Sequence, residues 1–393
     1  NIETLTGGTR SDVVVTPTAL RGVVSLGSGT DTLTLGDFAN TVTATSIETI
    51  TGGTSDDTIV FAAALTGTVN LGAGTDTVTL GNFANTGTVS NVETITGGTS
   101  SDVVTLGTAV TSGSISLGAG TDTLTLGNFA NTVTLSNIET VTGGTSDDIV
   151  TLGAAASGAV NLGAGTDELV LGDFANTVTV SNVETLTGGT SSDVVTLGTA
   201  LNGSLDLGAG TDRLTLGNFA NTVTASNIET ITGGTSSDVV VLATALSGVV
   251  NLGSGTDTLT LGDFANTVTI SGVETITGGT SDDTVVLGAA VTSGTINLGA
   301  GTDAITLGNF ANTVTLTNIE AITGGTSTDV VTLGSAVTSG SISLGSGTDT
   351  LVLGNFANTL TISNVETITG GTSDDIVSLC AALTGAVNLG AGT

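Results

Sequence analysis

The residues of this chain best suited to chemistry are aspartates that follow glycines. Two such turns recur in each repeat, for example Gly52–Asp57 (GGTSDD) and Gly72–Asp76 (GAGTD). Glycine lets backbone carbonyls adopt positive φ and point to one spot. A carboxylate beside such carbonyls completes the oxygen ligand set of a hard cation such as Ca²⁺. The turns therefore predict Ca²⁺ sites, and the alternative is that each Asp only bonds its own backbone.

These aspartates form pairs along the chain. Asp57 and Asp76 are 19 residues apart, and the longer repeats give 20, as between Asp102 and Asp122. If two nine-residue segments make one coil, each pair stacks on one edge, where a cation could bridge it. The predicted metal ligands are Asp12, Asp31, Asp57, Asp76, Asp102, Asp122, Asp148, Asp167, Asp193, Asp212, Asp238, Asp257, Asp283, Asp303, Asp329 and Asp349.

A long tandem repeat positions these turns. The motif LGAGTDTVTLGNFAN, here Leu71–Asn85, occurs eight times with few changes at a spacing of 45 or 46 residues. The sequence starts and stops in mid-repeat. It is interpreted as one continuous array over residues 1–393, about 8.5 repeats long, cut from a longer repetitive protein.

Each repeat reads as about five short strands. In one repeat they are Val92–Thr96, Val103–Leu106, Ser114–Leu117, Thr123–Leu126 and Thr132–Leu135. Thr or Ser alternates with Leu, Ile or Val, so one face points inward and one outward. No apolar period of 3.6 residues persists. The pattern predicts an all-β parallel β-solenoid, of the β-roll or β-helix type, without helix.

The number of residues per coil stays open at this point. A coil of about 18 residues places successive repeats on opposite edges, whereas one of about 22 aligns every repeat. The longer coil would stack the phenylalanines Phe38, Phe83, Phe129, Phe174, Phe219, Phe264, Phe310 and Phe356 in one ladder, beside an amide ladder of Asn40, Asn85, Asn131 and their counterparts.

A second acid recurs beside inward Val or Ile. These glutamates are Glu3, Glu48, Glu93, Glu139, Glu184, Glu229, Glu274, Glu320 and Glu366. The alternation predicts that they face solvent, since stacked like charges repel at roughly 5 Å coil spacing. A cation ladder is the alternative.

Composition excludes several function classes. The net charge is −32, with only three basic residues, so no basic patch exists for nucleic acid. The chain lacks His, Lys and Tyr, so we expect no enzymatic activity. The sequence contains no run of 18 apolar residues, so it predicts no transmembrane segment. The lone Cys380 gives no disulfide framework.

The glycine–aspartate turns resemble a known family. Leu71–Thr79 is similar to the RTX (hemolysin-type) calcium-binding nonapeptide G-G-x-G-x-D-x-U-x, with Leu71 in place of the first glycine. Gly52–Val60 is similar too, with Ser55 in place of the third. The resemblance implies a degenerate RTX-like array in which two nonads form a coil and Ca²⁺ lies between stacked turns.

Three functions fit these features. The first is a structural repeat region of a bacterial extracellular surface protein, such as an S-layer, filament or large adhesin, stabilised by Ca²⁺. Its expected partners are further copies of the same array or a cell-surface polysaccharide. The second is a calcium-responsive secretion region of an RTX-type exported toxin or enzyme. The third is an ice-binding face made of outward Thr ranks, as in Thr123-Leu124-Thr125.

Overall fold

The computed structural model describes residues 3–381 and 385–392. Its contacts divide the chain into two units, Asn1–Gly198 and Thr199–Thr393, and each is described by itself. In the described ranges the regular elements are strands, and none is a helix. The predicted all-β class is confirmed. The prediction of one continuous array stays a prediction.

The first unit contains the first 22 strands. They are β1 (Thr4–Thr6), β2 (Val13–Val15), β3 (Arg21–Ser25), β4 (Thr32–Thr34), β5 (Thr41–Thr45), β6 (Thr49–Thr51), β7 (Thr58–Phe61), β8 (Thr68–Asn70), β9 (Thr77–Thr79), β10 (Thr86–Ser90), β11 (Thr94–Gly98), β12 (Val103–Leu106), β13 (Gly113–Gly118), β14 (Thr123–Thr125), β15 (Thr132–Ser136), β16 (Thr140–Gly144), β17 (Ile149–Leu152), β18 (Ala159–Gly163), β19 (Glu168–Val170), β20 (Thr177–Ser181), β21 (Thr185–Gly189) and β22 (Val194–Leu197).

The second unit continues the same pattern. Its described strands are β23 (Asn202–Gly208), β24 (Arg213–Thr215), β25 (Thr222–Ser226), β26 (Thr230–Gly234), β27 (Val239–Leu242), β28 (Ser247–Gly253), β29 (Thr258–Thr260), β30 (Thr267–Ser271), β31 (Thr275–Gly279), β32 (Thr284–Leu287), β33 (Gly294–Gly299), β34 (Ala304–Thr306), β35 (Thr313–Thr317), β36 (Ala321–Gly325), β37 (Val330–Leu333), β38 (Gly340–Gly345), β39 (Thr350–Gly354), β40 (Thr359–Ser363), β41 (Thr367–Gly370), β42 (Ile376–Leu379) and β43 (Ala386–Asn388).

Each unit is a parallel β-solenoid whose coil contains two strands. Within a unit, odd-numbered strands pair with odd-numbered strands and even-numbered with even-numbered, always in parallel, as when Thr41 lies opposite Thr58 and Thr58 opposite Thr77. Two sheets result. Equivalent positions in successive coils are 17 to 21 residues apart. The shorter of the two predicted coils is therefore confirmed, and the 22-residue coil is wrong.

The core is a thin aliphatic layer between the two sheets. Inward residues such as Val78, Leu124 and Leu169 have no exposed surface, while the Thr residues that alternate with them face outward. β-Branched residues suit this half-buried pleated surface. Burying one such Val or Leu contributes about 1.5–3 kcal/mol. The layer is too thin for many rings, and Phe61 is the phenylalanine buried in it.

Successive repeats alternate between the two edges of a unit, because a repeat has five strands and a coil has two. We call the turns that follow even-numbered strands edge 1 and those that follow odd-numbered strands edge 2. Phe38 and Phe129 lie on edge 1, and Phe83 and Phe174 lie on edge 2. The single phenylalanine ladder expected from the longer coil is therefore wrong.

The shortest turn has three residues and explains a recurrent asparagine. Asn91, at the start of the turn between β10 and β11, has φ of 52°, and its counterparts have similar values. This left-handed conformation is tolerated by Gly and Asn far better than by β-branched residues. Gly272 occupies the equivalent position in the second unit with φ of 57°.

Candidate functional site

A ladder of buried polar side chains runs along each edge. On edge 1, Asp57 Oδ1 accepts the Asn40 backbone N–H at 2.9 Å, and Asp76 Oδ1 accepts the Asp57 N–H at 2.6 Å. Glu93 Oε2 then accepts the Asp76 N–H at 2.8 Å. Each side chain thus caps the backbone of the coil before it. We call this series the turn ladder.

The turn ladder has the same order on both edges: asparagine, aspartate, aspartate, glutamate. The asparagine accepts the N–H of an apolar residue in the preceding coil, as Asn85 does from Leu65 at 2.8 Å on edge 2. It also donates from Nδ2 to the first aspartate, as from Asn85 to Asp102 at 2.8 Å. The asparagines are therefore linked to aspartates, and the expected amide ladder of stacked asparagines is wrong. They are Asn40, Asn85, Asn131, Asn176, Asn221, Asn266, Asn312 and Asn358.

The turn ladder provides acceptors for backbone N–H groups that the turns would otherwise leave unpaired. A six-residue turn leaves a backbone N–H facing inward, where water does not reach it, and an unpaired buried N–H is costly. A carboxylate acceptor makes a charge-assisted bond that is stronger than a neutral one. The glycines leave room for it, since a Cβ on Gly52 would come within 2.7 Å of Asp57 Oδ2. The GG before each first aspartate thus makes space for an inward carboxylate.

The structure brings the predicted metal pairs together. On edge 1 these are Asp57 with Asp76, Asp148 with Asp167, Asp238 with Asp257 and Asp329 with Asp349; on edge 2 they are Asp12 with Asp31, Asp102 with Asp122, Asp193 with Asp212 and Asp283 with Asp303. In bonds such as that from the Asp102 N–H to Asp122 Oδ1, at 2.7 Å, one carboxylate oxygen already accepts a backbone hydrogen bond. The pairs are stacked, as predicted, but as backbone caps.

The second carboxylate oxygen is left without a hydrogen bond. Within the described residues this holds for the buried Oδ2 atoms of Asp31, Asp57, Asp76, Asp102, Asp122, Asp148, Asp167, Asp238, Asp257, Asp283, Asp303, Asp329, Asp349 and Asp375. A buried anionic oxygen without a donor attracts a proton or a cation. However, the described residues contain no group of three or more acidic, histidine or cysteine side chains close enough to hold a metal. Ca²⁺ binding stays a prediction.

Burial raises the pKa of several second aspartates, namely Asp76, Asp122, Asp167, Asp257, Asp303 and Asp349. For Asp76 and Asp167 the pKa rises to about 6; burial is the main cause, neighbouring acids add to it, and the bond from the preceding coil opposes it. Asp303 behaves in the same way, with a pKa of about 6. The exposed Asp56 and Asp147 are among the neighbours that raise these values.

The first aspartates are held differently. Burial raises the pKa of Asp57 and Asp148 as well, but hydrogen bonds from Asn40 and Asn131 lower it again. The second aspartates lack such an amide donor. Burial and repulsion by neighbouring acids are therefore least compensated at Asp76, Asp167 and Asp303, where a bound cation or a proton would stabilise the carboxylate most.

The glutamates correct another expectation. Glu93, Glu139 and their counterparts were expected to be solvated strand residues, but they end the three-residue turn, and Glu139 Oε2 accepts the Asp122 N–H at 2.8 Å. Apart from the exposed Glu3, their side chains are partly buried rather than outward. The residues alternate correctly in sequence, but the turn changes the direction in which the side chain points. The glutamates are members of the turn ladder.

The roles of two kinds of ladder residue were not predicted from the sequence. The asparagines recur 17 residues before the first aspartates, as Asn40 does before Asp57, and this constant offset was the available signal. Asp375 belongs to the same set, because its Oδ1 accepts the Asn358 N–H at 3.1 Å. Cys380 is exposed and free.

Comparisons with known proteins add little to this geometry. No protein-family model matches the chain, and no curated protein matches it. Among solved structures, the chain is similar to a hyperactive, Ca²⁺-dependent, β-helical antifreeze protein from an Antarctic bacterium, with 20% identity over 81% of this chain and 80% of that chain. The TM-score is 0.14, so the match carries no argument about function. The described ranges hold no helical segment with the length and hydropathy of a membrane span.

Proposed function

We propose that this chain is a structural spacer: the solenoid region of a bacterial extracellular surface protein of the S-layer, filament or large-adhesin kind. The observation that carries the proposal is the turn ladder. It repeats the same four side chains along both edges of both units, and uses them to cap backbone. Catalysis requires one preorganised constellation. A device repeated at every repeat supports a mechanical role, and the proposal assigns no catalysis.

The fold supports this role energetically. Each coil bonds to the next through two parallel strand ladders and through the turn ladder at its edges. In solenoids stability is approximately a sum of repeat and nearest-neighbour contributions, so length can be extended without loss of order. The charge of −32 keeps such an array soluble and repels anionic surfaces. These properties suit a spacer outside the cell.

Calcium is the part of the proposal that depends on the buried carboxylates. The donor set fits a hard cation in its chemistry, since the Oδ2 atoms of Asp57 and Asp76 are buried and lack a hydrogen-bond partner. These aspartate pairs, together with turn carbonyls, would hold Ca²⁺. The ion would supply positive charge between stacked acids and so strengthen the solenoid. We propose this as a stabilising role, with the fold itself formed by the strands.

Two measurements test the two parts. In single-molecule pulling, a spacer of stacked coils should resist force along the chain and refold; extension without measurable resistance would refute the spacer role. Thermal unfolding followed by far-UV circular dichroism, in 5 mM Ca²⁺ and in excess EGTA, tests the cation. We expect a β spectrum in both and a higher Tm in Ca²⁺, by mass action on the folded state. An identical Tm in Ca²⁺ and in EGTA would refute the stabilising role of calcium and leave the spacer role intact.

The other predicted functions have distinct outcomes in these experiments. A β spectrum that appears only with Ca²⁺ would favour a calcium-responsive secretion region of an RTX-type exported protein. The outward Thr ranks favour an ice-binding face only weakly, because Val103 and Ile149 interrupt them on the exposed side of the sheets. Thermal hysteresis in a dilute solution of the chain would favour that function instead.

A further inference from the structure

Two kinds of residue directly precede the first aspartate of a pair. We call this residue the flanking residue. In three turns it is an exposed aspartate, and in the other turns it is serine or threonine. The aspartates are Asp56, Asp147 and Asp282, and the hydroxyl residues are Ser11, Ser101, Ser192, Ser237 and Thr328. The predicted metal pairs are therefore alike in their buried carboxylates and differ at the flanking residue.

Aspartate and serine make the same hydrogen bond at the flanking position. Asp56 Oδ1 accepts the Thr75 N–H at 2.8 Å, and the other two flanking aspartates make the equivalent bond at 2.8 Å and 2.7 Å. At Ser101 the hydroxyl oxygen accepts the Thr121 N–H at 2.9 Å instead. Because a neutral hydroxyl is sufficient for this bond, the flanking aspartate adds a negative charge that the fold does not require.

This charge lies close to the buried pair. The bond from Thr75 places the Asp56 carboxylate beside the residue that directly precedes Asp76. The carboxylate also lies against the glycine of the same turn, since a Cβ on Gly74 would be 3.1 Å from Asp56 Oδ1. In agreement with this proximity, Asp56 is among the acids that raise the pKa of both Asp57 and Asp76. The flanking charge therefore acts on the same site as the two buried carboxylates.

The two kinds of pair offer a cation the same inner oxygens. Asp57 and Asp76 are at most 1% exposed, and the Oδ2 atom of each has no hydrogen-bond partner in the described chain. Asp102 and Asp122, whose flanking residue is serine, are equally buried, and their Oδ2 atoms also lack a partner there. What distinguishes the first pair from the second is thus the flanking charge.

We propose that the aspartate pairs form two classes of Ca²⁺ site, a tighter class with a flanking aspartate and a weaker class with a flanking serine or threonine. The inference rests on the calcium part of the proposed function and adds the order in which the sites fill. As the Ca²⁺ concentration rises, the pairs that contain Asp76, Asp167 and Asp303 fill first, and the other pairs follow. Different coils of the solenoid are then stabilised at different Ca²⁺ concentrations.

The difference in affinity should be about tenfold at low ionic strength, because one more negative charge at the solvent edge attracts a doubly charged ion. Salt screens exposed charges, and the Debye length falls from about 10 Å at 0.1 M to about 3 Å at 1 M. The ratio of the two affinities should therefore approach one in 1 M NaCl. A difference that arose from the shape of the sites would not respond to salt in this way.

Equilibrium dialysis of the full chain against Ca²⁺, at pH 7.5 and low ionic strength, tests the two classes. The expected curve shows a tight class of three ions and then a weaker class, in proportion to the three flanking aspartates. The triple variant Asp56→Ser, Asp147→Ser and Asp282→Ser keeps an acceptor oxygen at each turn and should abolish the tight class. Circular dichroism in EGTA checks that the variant retains the β spectrum.

A matched control removes the same number of exposed charges from other turns. Asp37, Asp173 and Asp263 are exposed aspartates in the turns that contain the ladder asparagines. Equivalent turns carry asparagine at this position, as at Asn82, so replacement of the three aspartates by asparagine introduces a residue that the repeat already uses. This control variant should retain the tight class.

The reverse change gives an independent test. Ser101→Asp with Ser237→Asp adds the charge at two further flanking positions and should add two ions to the tight class. A single class of sites in the wild-type chain, an equal loss of the tight class in the control, or an unchanged ratio in 1 M NaCl overturns the proposal. A single class would leave the stabilising role of calcium intact. Absence of Ca²⁺ binding would refute that role together with the two classes.

Discussion

Replacing Asp76, Asp167 and Asp303 together by asparagine should stabilise the folded chain at neutral pH when divalent cations are absent. The amide keeps an oxygen to accept the N–H of the preceding coil, as Asp76 does for Asp57 at 2.6 Å. It also removes a buried negative charge whose Oδ2 has no hydrogen-bond partner. The ladder already contains asparagine at other turns, so an amide fits this kind of position.

The magnitude follows from the pKa shift. A pKa that rises from 3.8 to about 6 corresponds to about 3 kcal/mol at each of the three sites. The turns lie at the solvent edge of the solenoid, and screening there reduces this to about 1 kcal/mol each. Together the three substitutions contribute about 3 kcal/mol. With an unfolding entropy of about 2.1 cal/mol/K per residue, the Tm rises by about 4 °C.

The pH dependence has a definite sign. The folded-state pKa lies above the unfolded value, so the protonated aspartate stabilises the fold. That contribution is complete below pH 3.8 and is lost as pH rises through about 6. The wild-type chain should therefore gain stability from these sites between pH 7.5 and pH 5, and the asparagine variant should gain less.

The assay is thermal unfolding in EGTA, followed by circular dichroism at both pH values. Asp56, Asp147 and Asp282 provide the matched control, since they are exposed neighbours in the same stacked turns. Their replacement by asparagine removes the same formal charge and should raise the Tm less. A lower Tm for the Asp76, Asp167 and Asp303 variant than for wild type, at pH 7.5 in EGTA, would show that the buried negative charges do not destabilise the fold.

Three further substitutions test single contacts. Asn131→Ala removes the acceptor of the Val110 N–H, which lies 3.0 Å from Asn131 Oδ1, and should lower the free energy of unfolding by about 1–3 kcal/mol. The Val110 amide should then exchange faster with solvent, and unchanged exchange there would contradict the turn ladder. Asn91→Val places a β-branched residue at φ of 52° and should lower the free energy of unfolding, measured with denaturant, by about 1–2 kcal/mol. Asn91→Gly should change it little. Equal effects of the two substitutions would show that the left-handed conformation does not limit this position. Glu93→Ala leaves the Asp76 N–H without its acceptor at 2.8 Å and should destabilise the fold by about 1–3 kcal/mol. Glu93→Gln keeps an acceptor oxygen and should destabilise it less. The reverse order would show that the glutamate is only a surface charge.

The strands could be predicted from the sequence because alternation is a local property. The predicted strand Val103–Leu106 is β12, and Thr132–Leu135 is all but the last residue of β15. Their inward residues, such as Val104 and Leu135, are buried as the pattern requires. Each such segment carries its own period of two, so no knowledge of the turns is needed.

The roles of the turn residues could not be predicted in the same way. Alternation indicated an outward Glu93, but a three-residue turn with a left-handed Asn91 reverses the chain just before it. The number of residues per coil depends on the sum of these turns and not on any one strand. The sequence spacing predicted that the aspartates of each pair lie on one edge. It did not predict that each carboxylate accepts a backbone N–H of the preceding coil, because that contact depends on the conformation of the turns.

Amide hydrogen exchange in EGTA would show whether side chains of the turn ladder cap the backbone of the preceding coil. The amides of Asn40, Asp57 and Asp76 lie in turns, yet each donates to a buried or partly buried carboxylate one coil further along. We expect these amides to exchange as slowly as strand amides, and we expect the same protection on both edges of each unit without Ca²⁺. Exchange at the rate of exposed turn amides would contradict it.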